Sequence, residues 1–179
     1  MRHPAYVARI REGAMNVAEV RELYDFNAWA HRRIFAALAR LPADEYLRDL
    51  KSSHGGIHGT LCHIVWAEQL WLNRWLGKPN PPVAQGKDLA SLAAARARWE
   101  EVEGERAGFL RGLTDPKLAD TITIKPTTGG SYGHTYLQTI QHVVDHSSYH
   151  RGQIITMLRQ LGVQPPSTGL IFFYRERSA

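Results

Sequence analysis

Residues 140–155 read IQHVVDHSSYHRGQII and contain three histidines, His142, His146 and His150, at intervals of four residues. At 3.6 residues per turn, this spacing predicts a helix that carries all three imidazoles on one face. The helix rises about 12 Å from the first histidine to the third, whereas a zinc-like ion binds each imidazole nitrogen at about 2.0–2.1 Å. A single ion can therefore take only one adjacent pair, and the spacing leaves both pairs open.

A lone histidine is more often a core or surface residue than a ligand, and this is the alternative to a binding site for the three histidines. Three histidines on one face, next to apolar Val143, Val144, Ile154 and Ile155, favour a metal site or an acid/base site. A metal site needs a third ligand from elsewhere in the chain.

The composition is that of one globular domain. The chain has 179 residues, of which 44% are hydrophobic and 22% charged, and a domain of this length buries about 70% of its unfolded surface. We expect residues 1–14 to be a flexible N-terminal extension, with Met15 as a candidate start residue. Residues 15–179 are expected to form a single domain.

Charge and cysteine content narrow the function classes. The formal net charge is +5, but the arginines are scattered and form no basic block, which argues against nucleic acid as a partner. Cys62 is the only cysteine, so no intrachain disulfide can form and a reducing compartment is expected. Because no stretch approaches the about 18 apolar residues of a membrane span, and no signal peptide is evident, we expect a cytoplasmic protein without membrane contact.

The hydrophobic pattern predicts an all-α fold, an antiparallel four-helix bundle. The predicted helices cover 17–41, 61–76, a segment from a cap at Asp88 or Ser91 to about Leu113, and about 135–161. Residues 121–124 alternate like a strand and 127–130 have turn chemistry, which predicts a short hairpin or ordered loop before the last long helix. The C-terminal tail ends in an aromatic run that should pack on the bundle.

His63 is the candidate for the third ligand. It lies within TLCHIVWAEQLW, where a buried imidazole without a partner would be costly, although a core histidine bonded to a carbonyl is an alternative. One distant histidine plus a helical pair leaves an open position on the ion, as in catalytic sites. His54 and His58, in the glycine-rich stretch SSHGGIHGT, are interpreted as loop residues, and Cys62 as a small core residue.

Four segments together resemble the DinB/YfiT-like family of metal-dependent bundle proteins, which is unrelated to the DNA polymerase of the same name. They are DFNAWAHRRI (25–34), GTLCHIVWAEQLW (59–71), HVVDHSSYHRGQI (142–154) and STGLIFFYRER (167–177). The resemblance implies a four-helix bundle, often dimeric, that holds a divalent ion with three histidines.

Position by position, the resemblance places the ligands at His63, His146 and His150. It leaves His142 outside the ligand set as an accessory residue near the site. His31 stands where the family commonly has Asn, and we interpret it as a surface or helix-packing residue. Candidates to orient the ligands are Asp145, Tyr149 and Gln153.

The function implied by the resemblance is that of a metal-dependent enzyme. A thiol-dependent transferase that uses a low-molecular-weight thiol such as mycothiol or bacillithiol comes first. A metal-dependent hydrolase and a non-catalytic, stress-linked metal-binding protein are the alternatives. Zinc or nickel is expected before iron or manganese. Five tryptophans and the terminal IFFY run further predict a homodimer.

Overall fold

The computed structural model describes residues 15–82, 89–124 and 129–178. The expected extension 1–14, the candidate cap Asp88 and part of the predicted turn 127–130 lie outside these ranges. The described residues form seven helices and one two-stranded sheet. In chain order these are α1 (Val17–Leu38), α2 (Ala43–Leu47), α3 (Ile57–Trp75), α4 (Leu92–Gly112), α5 (Asp115–Ala119), β1 (Thr121–Ile124), β2 (Tyr132–Thr135), α6 (Tyr136–Gln160) and α7 (Leu170–Arg177).

Three of the four long helices begin at side-chain caps that the sequence supplies. Asn16 and Glu19 form a capping box at the start of α1, and Thr135 and Gln138 form another at the start of α6. Ser91 accepts a hydrogen bond from the Ala94 amide and caps α4. Each cap satisfies amides that have no partner within the helix.

The predicted start of the second long helix at Leu61 was wrong, because α3 begins at Ile57. The glycines of this stretch suggested a loop, but Gly59 lies inside the first turn of the helix. His58 is therefore a helical residue and not a loop residue. Short α2 and α5 were not predicted.

The predicted strand 121–124 is confirmed. β1 pairs with β2 in an antiparallel hairpin, with Thr121 opposite Thr135 and Ile124 opposite Tyr132. Gly129 and Gly130, in the connection, both have positive φ, a conformation that favours glycine. The hairpin ends directly at the first turn of α6.

Helices α1 and α3 each pack against both α4 and α6. The predicted all-α class is thus confirmed, with one small sheet, while the finer description as an antiparallel four-helix bundle stays a prediction. None of the helices in the described part of the chain combines the length and apolar character that a membrane crossing needs. The packing of α3 on α6 is the contact that positions the site described below.

The C-terminal helix α7 packs on α1 through one aromatic residue. Phe173 is buried, with its ring 5.9 Å from that of Phe26 and 5.7 Å from that of Trp29. The predicted packing of the aromatic run is confirmed for this residue only. Four neighbours remain substantially exposed: Leu170, Ile171, Phe172 and Tyr174. The homodimer stays a prediction.

Candidate metal centre

Four histidines from three segments of the chain meet between α3 and α6. His63 lies on α3, His146 and His150 lie on α6, and His54 lies in the turn before α3. The ring centroids are 4.1 Å apart for His54 and His63, 4.6 Å for His63 and His150, and 4.4 Å for His146 and His150. We call these four residues the histidine cluster.

His63 and His150 are central in this cluster. His54 contacts both of their rings, and so does His146, with centroid distances between 4.1 and 5.3 Å. The Nε2 atoms of His63 and His146 are 3.0 Å apart. Ligand atoms of His54, His63 and His150 all lie within 4.8 Å of one another. The structure thus brings the predicted trio together and adds a second trio in which His54 replaces His146.

The backbone places His54 beside His63. A Cβ atom on Gly59 would lie only 1.9 Å from the His54 carbonyl oxygen, so glycine is required for the turn to rest on the first turn of α3. His63 follows Gly59 by one helical turn. His54 is in a turn, as predicted, but its approach to the site was missed. The spacing of Gly59 from His63 was the available signal.

The electrostatic environment keeps His54, His63 and His146 neutral. Burial, together with the neighbouring histidines, lowers the pKa of His63 and of His146 to about 4. Burial also lowers the pKa of His54, with a smaller effect from His150. At pH 7 these imidazoles are therefore neutral and carry a lone pair, which is the form that binds a metal ion.

Gln153 orients His150. Its Oε1 lies 2.8 Å from His150 Nδ1, so Nδ1 donates a proton to the amide oxygen and leaves Nε2 as the acceptor. Of the other candidates for this role, Tyr149 meets the His150 ring edge-on at 5.0 Å. Asp145 instead lines a pocket elsewhere on α6.

His142 lies one turn outside the cluster. Its ring is 5.8 Å from that of His146 and 5.2 Å from that of Trp71. Burial lowers its pKa, and Asp145 partly opposes the effect. Its role as an accessory residue stays a prediction.

A second group of polar residues lies in the core and was not predicted. The Glu68 carboxylate accepts hydrogen bonds from Asn27, His31, Arg106 and Ser147, at 2.8 to 2.9 Å. We call these five residues, with Arg151, the Glu68 network. His31 is 1% exposed, so it is a helix-packing residue and not a surface residue. Cys62 is buried as predicted, with its Sγ 3.8 Å from the ring nitrogens of His58.

Comparison with known proteins identifies the family. The sequence profile described as the DinB family matches residues 15–177. The chain belongs to the DinB family. It is 29% identical over 163 residues to Protein DinB of Bacillus subtilis (strain 168). The aligned region covers 85% of this chain and 92% of that protein. It is also 23% identical over 150 residues to the uncharacterized protein YizA of the same organism, covering 84% and 92%.

A solved DinB-like protein has the same fold. The crystal structure of a DinB-like protein from Bacillus cereus ATCC 10987 superposes with a TM-score of 0.59 at 20% identity, covering 81% of this chain and 94% of that one. These findings confirm the resemblance to the DinB family and the helical fold. The histidine cluster is consistent with metal binding, while the choice of ligands stays a prediction.

Proposed function

We propose that this DinB-family chain is a metal-dependent enzyme whose ion is held by His63, His146 and His150, and that it is a thiol-dependent transferase. The observation that carries the proposal is the convergence of neutral imidazoles from α3, α6 and the preceding turn. Two of these rings, His63 and His146, place their Nε2 atoms 3.0 Å apart, and as neutral imidazoles they share one hydrogen bond from the Nε2–H tautomer of one ring to the lone pair of the other. With the pKa of His63 and His146 at about 4, neither ring carries a second proton at pH 7, and a change of tautomer would free both Nε2 lone pairs for a metal ion.

The donor set fits a transition metal. Imidazole nitrogen suits zinc, nickel, copper and iron, whereas manganese and magnesium prefer carboxylate and water oxygens. Among the described residues, the groups that converge as possible ligands are histidines. The donor chemistry therefore supports zinc or nickel, with iron next and manganese last.

The residues around the cluster would leave a coordination position of the bound ion free for an exchangeable ligand. Three imidazoles leave at least one position open, and a bound ion lowers the pKa of a water or thiol in that position toward neutrality. His150 is held by Gln153 with Nε2 directed away from that hydrogen bond. Cys62 is buried on another side of α3, against His58. A thiol at this site must therefore come from a cosubstrate.

Metal content tests the first half of the proposal. Elemental analysis of the purified protein should find about one divalent ion per chain, and His63→Ala should release it because a first ligand is lost. His134→Ala, an exposed histidine on β2, is the matched control and should keep the ion. Full occupancy in the His63 variant would show that the ligands lie elsewhere.

Turnover tests the second half. The metal-loaded protein should transfer at least one thiol, from a panel of low-molecular-weight thiols, to an electrophile. The reaction should stop in His63→Ala. Hydrolysis of the electrophile without any thiol would favour the hydrolase instead. Stoichiometric metal with no turnover in either assay would favour a non-catalytic metal-binding role.

A further inference from the structure

A pocket of about 450 Å³ lies on the side of α6 that faces away from the histidine cluster. It is bounded by α1, α6 and the start of α7. Ser148 and Gly152 each stand two residues from His150, which places them about 200° round the helix from it. The pocket is lined mainly by apolar side chains, including Leu23, Phe26 and Ile155. Its volume is in the range of small-molecule sites, about 300–1,000 Å³.

A buried arginine lies at the wall of this pocket. Arg151 is 1% exposed, and it donates to Asn27 Oδ1 at 2.6 Å and to Ser148 Oγ at 2.8 Å. Both acceptors are neutral. Its Nε has no hydrogen-bond partner, and no carboxylate forms an ion pair with it among the described residues. Burial lowers the pKa of Arg151 to about 10 and the nearby Glu68 carboxylate partly opposes this shift, so the group is still charged at pH 7 and is only partly compensated.

The contact between Arg151 and His31 does not compensate this charge. Arg106 and His31 hold the pKa of Glu68 well below its ordinary value despite burial, so this carboxylate can only accept. His31 Nε2, 2.9 Å from Glu68 Oε1, must therefore carry a proton and donate it. The same atom cannot then accept from Arg151 Nη1, which lies 3.2 Å away. Arg151 is left with two neutral acceptors for its five N–H groups.

Ser148 connects this charge to the pocket. Its Oγ accepts a hydrogen bond from Arg151, while Ser148 is itself exposed and lines the pocket. A hydroxyl that accepts from a cation becomes a stronger donor, because hydrogen bonds in a chain polarise one another. The Ser148 O–H can therefore donate into the pocket, backed by the positive charge of Arg151.

We propose that this pocket binds a monocarboxylate with an apolar body, whose carboxylate accepts from Ser148 and is attracted by Arg151. The apolar body would lie against Leu23, Phe26 and Ile155. A single negative charge fits best, since Asp145 also lines the pocket and would repel a dianion. The site lies on the opposite face of α6 from the proposed metal centre and does not depend on it.

Isothermal titration of metal-free protein tests this proposal with octanoate as the probe and octanamide as its neutral isostere. Octanoate should bind about tenfold more tightly or better, as expected when one hydrogen bond to a charged group distinguishes two ligands. Ser148→Ala should weaken octanoate binding by about the same factor and octanamide binding by less, because the amide carbonyl accepts from the hydroxyl without a charge. The same affinities are expected in His63→Ala, which separates this site from the metal centre.

Gly152→Leu fills the pocket without disturbing the fold. A Cβ atom on Gly152 meets no atom within 4 Å, and leucine favours a helix over glycine. This variant should fold and lose octanoate binding. Gly104→Leu is the matched control, since Gly104 is exposed within α4 and its Cβ also meets nothing within 4 Å; it should bind octanoate as the unmodified chain does.

Four results would overturn the proposal. The acid and the amide could bind equally, octanoate could fail to saturate at millimolar concentration, or Gly152→Leu could leave binding unchanged. The fourth result is that Gly152→Leu halves the mass measured by sedimentation. This would show that a second copy of the chain covers the pocket in the unmodified protein.

Discussion

The histidine cluster and the Glu68 network are two groups of polar side chains that share helices but differ in how their hydrogen bonds are satisfied. On α6 they alternate in sequence, since Ser147 follows His146 and Arg151 follows His150. In the network, an ionised carboxylate meets four donors. In the cluster, neutral imidazole nitrogens face one another, as in the 3.0 Å contact of His63 and His146.

This difference distinguishes polar groups that stabilise the fold from polar groups that can bind a ligand. Buried polar groups that satisfy one another favour one packing arrangement and need no ligand, which describes Glu68 and its four donors, while Arg151 at the edge of the network keeps an unpaired Nε. The Nε2 atoms of His63 and His146 share a single hydrogen bond, which depends on the tautomers of the two rings and which a metal ion can replace. The network joins α1, α3, α4 and α6, and Glu68 lies five residues after His63. It therefore fixes the position of α3 along the axis of α6. The histidine cluster depends on that position.

Breaking the network should have the largest effect. Glu68→Ala leaves Arg106 buried without its main carboxylate partner, both side chains being fully buried. Removal of one member of a buried ion pair costs about 3–5 kcal/mol, so the free energy of unfolding should fall by that amount, as measured by urea denaturation of metal-free protein.

His63→Ala is the comparison for this change, because it lies on the same helix but belongs to the cluster. In metal-free protein it should alter the free energy of unfolding by far less than Glu68→Ala. Equal losses in the two variants would mean that the cluster, too, is structural.

The second prediction concerns two histidines of the same helix. His150→Ala should abolish stoichiometric metal binding, because it removes a central ligand of both candidate trios. His142→Ala should keep the ion while any turnover falls, since its ring lies a turn away. Metal titration of both variants measures this, and the reverse ranking would move the site one turn toward the start of α6.

Sequence patterns predicted the features that depend on residues close together in the chain. The four long helices, the strand 121–124, a cap at Ser91 as one of two alternatives and the convergence of His63 with α6 follow from short-range patterns and the family resemblance. The Glu68 network could not be predicted in this way, because its partners are separated by up to 124 residues, as for Arg151 and Asn27. A carboxylate inside the apolar α3 was the visible signal of a buried partner.

The third prediction decides between the two trios. If His146 is a ligand, as the family resemblance implies, His146→Ala should abolish stoichiometric binding, and His54→Ala should weaken metal affinity by about 10–100-fold, as for residues that contact ligands. Competition with a chelator of known affinity measures both. The opposite ranking would select His54, His63 and His150 and contradict the predicted ligand set.

The smallest expected effect is on the pH dependence of stability, through His31. Burial lowers the pKa of His31 below its ordinary 6.5, although Glu68 opposes this shift. Below pH 6.5 the unfolded chain therefore binds a proton that the folded chain does not, and the free energy of unfolding falls on acidification. His31→Asn removes this contribution, so its stability should fall less steeply between pH 6.5 and 5, by at most about 1.4 kcal/mol per pH unit.

The measurement is urea denaturation of both proteins at several pH values with a chelator present. The acidic destabilisation from His63 and His146 is common to both proteins and cancels in the comparison. Above pH 7.5 the two curves should run parallel, because His31 is neutral in both folded and unfolded chains there. Identical slopes below pH 6.5 would show that His31 is as readily protonated in the fold as in water.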